Sequence, residues 1–182
     1  MTELSPIPRE NNPNTLALHI VTGAAGVGKS TFGKHLAVEL GAVFLDSDTV
    51  TEPVVRAGLT AAGLDPTDRD SPEYKRLFRD AVYECLFATA AENLTHTSVV
   101  IVGPFTRELR DANWPKHLHN RFGVQPTIWH VTCSDVLRRE RIMKRGNPRD
   151  RAKLIDWAQH IADAPPAQPA FEVNLVDTSR SR

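Results

Sequence analysis

The residues Gly23-Ala24-Ala25-Gly26-Val27-Gly28-Lys29-Ser30 match the pattern G-x-x-x-x-G-K-[ST] at every fixed position. Each type has its own reason to be there. Glycines let backbone N–H groups converge on phosphate oxygens without side-chain obstruction. A helix opening at the end of the stretch would add its N-terminal partial charge, roughly half a unit positive. Lys29 is long enough to reach β- and γ-phosphates, and the Ser30 hydroxyl suits ligation of Mg²⁺. Further on, "AVFLDSDTVTE" (42–52) places Asp46 and Asp48 either side of a single serine, at the end of an apolar run. Two close carboxylates repel unless something cationic lies between them, and a magnesium nucleotide would supply it. One acid would orient the metal, through water because Mg²⁺ dehydrates reluctantly. The other would accept a proton from an attacking hydroxyl. The plainer alternative is that Asp48 caps a helix beginning at Thr49, with Glu52 closing a capping box.

A second informative stretch is "SDVLRRERIMKRGNPRDRAKL" (134–154). At helical spacing Arg138, Arg141 and Arg145 fall within about 60° of one another, roughly opposite Val136 and Met143. The expectation is a helix that packs through Val136 and Met143 and presents the guanidinium groups. Gly146, Asn147 and Pro148 then break it, and Arg149 and Arg151 follow. Beside a phosphate cradle, arginines stabilise charge on a transferring phosphoryl group. Arg141 and Arg145 are the leading candidates; Arg138, Arg149 and Arg151 fit a solvated face equally well. Arg56, Arg107 and Arg110 could greet a substrate or simply face water. His19 and His130 sit inside strand patterns and read as satisfied core residues, and Trp114, Trp129 and Trp157 read as packing. Asp65, Asp68 and Asp70 imitate an acidic metal loop, but turn chemistry accounts for them.

These residues need elements to position them. "LALHIVTG" (16–23) is an apolar run ending in glycine, the pattern of a strand buried on both faces. "KSTFGKHLAVELG" has helical spacing and closes on Gly41. "AVFL" follows as a strand, then a short helix after Thr49 and a turn-rich "GLDPTDRDSP". Ser71-Pro72 starts a long amphipathic helix to about Leu94. Three more strand candidates are "SVVIVGPF" (98–105), "QPTIWHVTC" (125–133) and "FEVNLVDT" (171–178), with helices beginning near Thr106 and Ser134. Such alternation implies a parallel sheet covered on both faces, binding ligands at the carboxyl ends of its strands. The third strand ends in Gly103-Pro104 where many phosphate-loop proteins carry a metal-holding aspartate, which leaves Asp46 and Asp48 as the acids nearest the cradle. "DAPPAQPA" (163–170) reads as a stiff connection.

Composition narrows the classes. The chain has 182 residues, enough for one domain with a substantial core. Acidic and basic residues balance at 22 each, so no global field draws it to nucleic acid or a membrane surface. No apolar run approaches the roughly 20 residues of a membrane span. The start, "MTELSPIPRENNPNT", has no hydrophobic signal core, so residues 1–14 read as a flexible tail and 15–182 as one domain. Cys85 and Cys133 lack metal-type spacing, in keeping with a reduced, cytoplasmic setting.

"GAAGVGKST", "FLDSD" and "LRRERIMKRGNPRD" together resemble the small P-loop kinases of the nucleoside-monophosphate-kinase-like superfamily. Shikimate kinase, gluconate kinase and chloramphenicol phosphotransferase are members, and the overall look is that of bacterial AAA-type ATP-binding proteins of the predicted-kinase group. The resemblance covers about residues 16–176. It implies an α/β P-loop NTPase sandwich, a five-stranded parallel sheet with helices on both faces and an arginine-bearing lid at about 145–156. It further implies ATP held by residues 23–31, including Thr31, and by Arg145. The Asp-x-Asp serving metal and acceptor maps onto Asp46 and Asp48, the lid onto Arg141, Arg145 and the segment to Arg149. Adenine would lie near Asp177 and Thr178. Acceptor-binding signatures of the gluconate and shikimate kinases are missing from the helices.

The expected activity is transfer of the ATP γ-phosphoryl group to a hydroxyl of a small molecule, with Mg²⁺. Lys29, Asp48, Arg141 and Arg145 would be catalytic, and Ser30 and Asp46 would hold the metal. Two alternatives differ in kind. A nucleotide-dependent switch acting through a protein partner would hydrolyse ATP without an acceptor. A polynucleotide 5′-hydroxyl kinase would want a basic track with interleaved aromatics, which neutral charge and dispersed aromatics do not favour.

Overall fold

The computed structural model describes residues 16–163 and 167–179; the N-terminal tail and part of the proline-rich connection lie outside the described residues. The aliphatic runs form strands β1 (Leu18–Thr22), β2 (Val43–Asp46), β3 (Val99–Val102), β4 (Pro126–Thr132) and β5 (Asn174–Asp177). They pair in parallel, in the order β2-β3-β1-β4-β5. Strand side chains alternate between faces, so each central strand feeds two cores. Leu18, Ile20, Val99, Ile101 and Ile128 face one core, while Val21, Val100, Val102, Trp129 and Val131 face the other. This explains why β1 and β3 are apolar at almost every position. β5 is an edge strand and mostly exposed.

Helix α1 (Lys29–Leu40) covers the second face. Its close approach depends on Gly33, where a Cβ would meet Val102 Cγ2 at 2.5 Å. Helices α2 (Ser47–Ala61), α3 (Pro72–Asn93) and α4 (Trp114–Phe122) bury Val55, Leu59, Leu86, Ala90 and Leu118 against the first face. Ser71 caps α3 by accepting from Tyr74 N at 3.0 Å, with Pro72 opening the helix. The remaining helices are α5 (Asp135–Arg145), α6 (Arg151–Ile155) and α7 (Trp157–Asp163).

Two elements differ from expectation. The second helix is neither short nor begun at Thr49; it starts at Ser47 because Asp46, not Asp48, is its cap, accepting from Asp48 N at 2.9 Å. Near Thr106 only one 3-10 turn forms, Glu108–Arg110, and the fourth α-helix starts later, at Trp114. Asp111 first makes a local turn, its carboxylate accepting from Asn113 N at 2.9 Å, and Pro115 then sits in the first helical turn. Among the described residues, no helix is long and apolar enough to cross a membrane.

Candidate active site

The carboxyl ends of β1, β2 and β3 open into a cleft of ≈ 1280 Å³. The loop between β1 and α1 forms one border. Gly23 has φ 142°, and a Cβ there would lie 2.3 Å from Val131 O, so the loop leaves β1 in a path closed to larger residues. Its carbonyls are taken up by protein donors. Ala24 O accepts from Lys29 Nζ at 2.7 Å, Ala25 O from Arg138 Nε at 3.1 Å, and Val27 O from Thr178 Oγ1 at 2.6 Å and Arg141 Nη1 at 3.2 Å. At the head of α1, Gly28 supplies no side-chain cap and no acid occupies the first turn. Its leading N–H groups and partial positive charge are left for a ligand.

The arginine face of α5 therefore points inward, the reverse of the expected orientation. Arg138 is 2% exposed, whereas Val136 is 70% and Met143 52% exposed. The inversion has a local cause: Arg138 and Arg141 give their N–H groups to loop carbonyls, and only Ile142 adds buried apolar surface on that side. Arg138 also pairs with Asp135 at 2.6 Å and lies over the Trp157 ring, 5.4 Å from its centroid. Arg141 reaches Thr178 Oγ1 at 2.8 Å and Thr178 O at 2.9 Å. It borders the cleft but is held by the loop and by the residue after β5.

The paired acids divide their work. Asp46 is buried at the end of β2, and one carboxylate oxygen accepts from Ser30 Oγ at 2.5 Å while the other caps α2. Asp48 borders the cleft and pairs with Arg149. Burial alone would push the Asp48 carboxyl up, but the Arg149 hydrogen bond and charge, with Lys29 and Arg145, hold it below the usual range. Burial pulls the Lys29 ammonium down to about 8, opposed by Asp48 and Asp46 and reinforced by Arg145 and Arg138.

The segment after α5 is tied down by charge. Arg145 is bidentate on Asp150, Nε–Oδ2 2.6 Å and Nη2–Oδ1 2.8 Å, and Asp150 is fully buried. Lys153 reaches Asp150 at 3.4 Å and Asp70 at 3.0 Å. Arg149 adds a longer contact to Glu52 at 3.9 Å, and Glu52 also holds Arg69 at 2.8 Å. Arg151 is exposed. Asp65 and Asp68 accept from Thr67 N at 2.7 Å and Ser71 N at 3.0 Å, the turn chemistry expected of them.

The opposite wall comes from α3 and the turn after β3. Gly103-Pro104-Phe105 is fastened by Thr22 Oγ1 donating to Pro104 O at 2.8 Å and Phe105 N donating to Tyr83 Oη at 3.3 Å. Arg79 pairs with Glu108 at 2.7 Å. Arg107 also turns to a carboxylate, Asp80, at 2.8 Å. His130, expected to be a satisfied core residue, is buried but borders the cleft with Nδ1 unpartnered. Burial and then the Lys29 charge lower its pKa. His19 accepts from Trp129 Nε1 at 3.2 Å, with Nε2 unpartnered. Arg149 and His130 are the residues whose role the sequence undersold.

This arrangement fits a magnesium–polyphosphate. Ser30 and Asp46 present hard oxygen donors side by side at the head of α1, as Mg²⁺ prefers. Among the described residues, no cluster of three or more His, Cys, Asp or Glu could hold a metal alone.

Comparison with solved structures finds the same fold in several kinases. A protein from Chloroflexus aurantiacus designated a kinase superposes with TM-score 0.66 at 24% identity, covering 92% of this chain and 90% of that one. A gluconokinase from Sinorhizobium meliloti gives 0.54 at 17% identity over 91% and 83% of the two chains. Shikimate kinase from Bacteroides thetaiotaomicron gives 0.50 at 19% identity over 87% and 86%. At these identities the likeness is one of fold, the kinase-like P-loop α/β sandwich. No curated protein matches the sequence. A family model described as an AAA domain matches residues 18–164, and on that match the chain belongs to the AAA domain family.

Proposed function

We propose that the protein transfers the γ-phosphoryl group of ATP to a hydroxyl of a small molecule. The observation that carries this reading is the placement of Lys29, Ser30, Asp46 and Asp48 around one corner of the cleft. Backbone N–H groups of residues 23–31 and the Lys29 ammonium would hold the polyphosphate. Mg²⁺ held by Ser30 and Asp46 would offset charge on the phosphate oxygens. Asp48, a carboxylate at neutral pH, would take the proton of the acceptor hydroxyl as its oxygen bonds to phosphorus. The bond from the γ-phosphorus to the bridging oxygen breaks, and ADP leaves with that electron pair.

The arginines separate into two groups. Arg141 and Arg145 are engaged by backbone and by buried Asp150, so they would act by fixing the loop and the lid. Arg149 holds only Asp48 and Glu52 and can exchange them for a phosphoryl oxygen. That exchange would free Asp48 and place a guanidinium on the moving charge in one motion. A segment closing this way also keeps water from the phosphoryl group.

The test is Asp48→Asn. Transfer, measured as acceptor-dependent ADP release, should fall at least about 100-fold, the usual worth of a general base. Nucleotide affinity by calorimetry should stay within a few-fold. Normal turnover in the variant would remove Asp48 from the chemistry. Steady ADP release with no acceptor, unchanged by Asp48→Asn, would favour the switch-type ATPase instead.

A further inference from the structure

His130 stands apart from the other groups bordering the cleft. It lies at the carboxyl end of β4, in register with Thr22, the last residue of β1 before the phosphate loop. The two-residue alternation puts its side chain on the face of Ile128 and Ile20, the side on which α3 and the turn after β3 build the wall opposite the nucleotide corner. It is 6% exposed, borders the cleft, and makes no hydrogen bond through Nδ1. A buried polar atom without a partner is costly, so a site that keeps one has a use for the ring.

The surroundings say what the ring can recognise. Burial and the neighbouring Lys29 keep it neutral, so it offers no charge to an anion. The tautomer of an imidazole is normally set by whatever its second nitrogen binds. Among the described residues no group fixes it through Nδ1, and the cleft side can present either an N–H or a lone pair. A hydroxyl, both donor and acceptor, satisfies either form; a carboxylate satisfies only one.

The cations bordering this half of the cleft point the same way. Arg69, Arg79 and Lys153 are already paired with Glu52, Glu108 and Asp70, while Lys75, exposed on α3, has no ion pair among the described residues. An anionic acceptor would have to break an ion pair to gain any of those three, and would meet only Lys75 unpaired. A neutral polyol can instead bridge the outer oxygens and N–H groups of those pairs without separating them.

We infer that the acceptor is an uncharged polyhydroxylated molecule and that His130 is a specificity-determining residue, binding a hydroxyl next to the one that is phosphorylated. This rests on the phosphotransferase reading and sharpens it to a substrate class. The imidazole holds the neighbouring hydroxyl; it takes no proton from the reacting oxygen, which remains the work of Asp48.

The test uses the full chain with MgADP and ¹⁵N-labelled histidine. Glycerol and D-glucose are titrated as neutral probes, glycerate and D-gluconate as their carboxylated counterparts. The His130 ring signals should move saturably with the neutral probes and much less with the carboxylates. Backbone amide shifts should show polyol affinity falling roughly tenfold in His130→Phe, the usual worth of one neutral hydrogen bond, and largely recovering in His130→Gln. MgADP affinity should be alike in all three proteins, a result that a merely structural histidine would not combine with lost polyol binding. Carboxylated probes moving the ring as strongly as neutral ones, a ring blind to all four, or His130→Phe binding polyol like the parent would each overturn the inference. Calorimetry of MgATP on the same preparation separates the two levels. If MgATP binds and the ring ignores polyols, only the acceptor class falls; if MgATP does not bind, the phosphotransferase reading falls and takes this inference with it.

Discussion

The loop between β1 and α1 and the segment 145–153 border one cleft yet are held by different forces. The loop is fixed by backbone geometry at Gly23 and by its own carbonyls, which accept from Lys29, Arg138, Arg141 and Thr178. The segment 145–153 is held by side-chain charges, Arg149 to Asp48 and Glu52, Lys153 to Asp70, Arg145 to Asp150. Backbone geometry of this kind has one solution. Ion pairs can trade partners, and a phosphate would be a competing one. The difference teaches that one run of arginines is held in two ways: Arg138 and Arg141 give their N–H groups to loop carbonyls, whereas Arg145 and Arg149 pair with carboxylates.

The largest effect should come from breaking the rigid side. Gly23→Val would force a side chain onto Val131 O at an unfavourable backbone angle, a cost above the roughly 1–3 kcal/mol of backbone strain alone. Thermal unfolding should drop sharply and nucleotide binding should vanish; a variant of normal stability would show that the loop has room to move. Arg145→Ala tests the ion pair at the end of α5. It leaves buried Asp150 with Lys153 at 3.4 Å and the more distant charge of Arg149, so a loss of about 2 kcal/mol is expected, discounted because Arg145 itself is partly exposed. Equal stability with a large loss of transfer would instead put Arg145 on the phosphate, as the sequence suggested.

The smallest effect is a pH dependence of the cradle. With Lys29 pulled down to about 8, the ligand-free protein loses that charge as pH rises through 8, and ATP affinity should weaken over the same range. Polyphosphate would draw the proton back, so binding near pH 8 should take up protons, visible as a buffer-dependent heat. The stability sign is opposite. The unfolded lysine still binds its proton above 8, so the ligand-free fold should gain stability from about 8 toward the ordinary lysine range near 10.4. Proton uptake that is absent at pH 8 would mean Lys29 is not desolvated in solution.

What could be read in the sequence follows the same division. The cradle was legible because its chemistry is local: the glycines, Lys29 and Ser30 are neighbours, and a buried strand and a helix flank them. The pairing of Ser30 with Asp46 followed from parallel topology, which brings the ends of β1 and β2 to one edge. The orientation of α5 was not legible. Apolar Val136 and Met143 ordinarily mark the packed face, and nothing in the spacing reveals that loop carbonyls would draw the arginines inward. Arg149 with Asp48 and Lys153 with Asp70 join residues far apart in the chain, which periodicity does not register. His130 looked like any histidine in an apolar strand; its one distinguishing signal is its place at the strand's carboxyl end, where such sheets bind ligands.

The central claim is that the bend between Gly23 and Ser30 holds a polyphosphate through its backbone and Lys29. Calorimetric titration of a non-hydrolysable ATP analogue with Mg²⁺, run on the parent and on Lys29→Met, tests it most directly. The account predicts one site per chain, weakened at least about tenfold in the variant, as befits loss of a charge-assisted contact. Absence of binding to the parent, or equal affinity in both proteins, would contradict it.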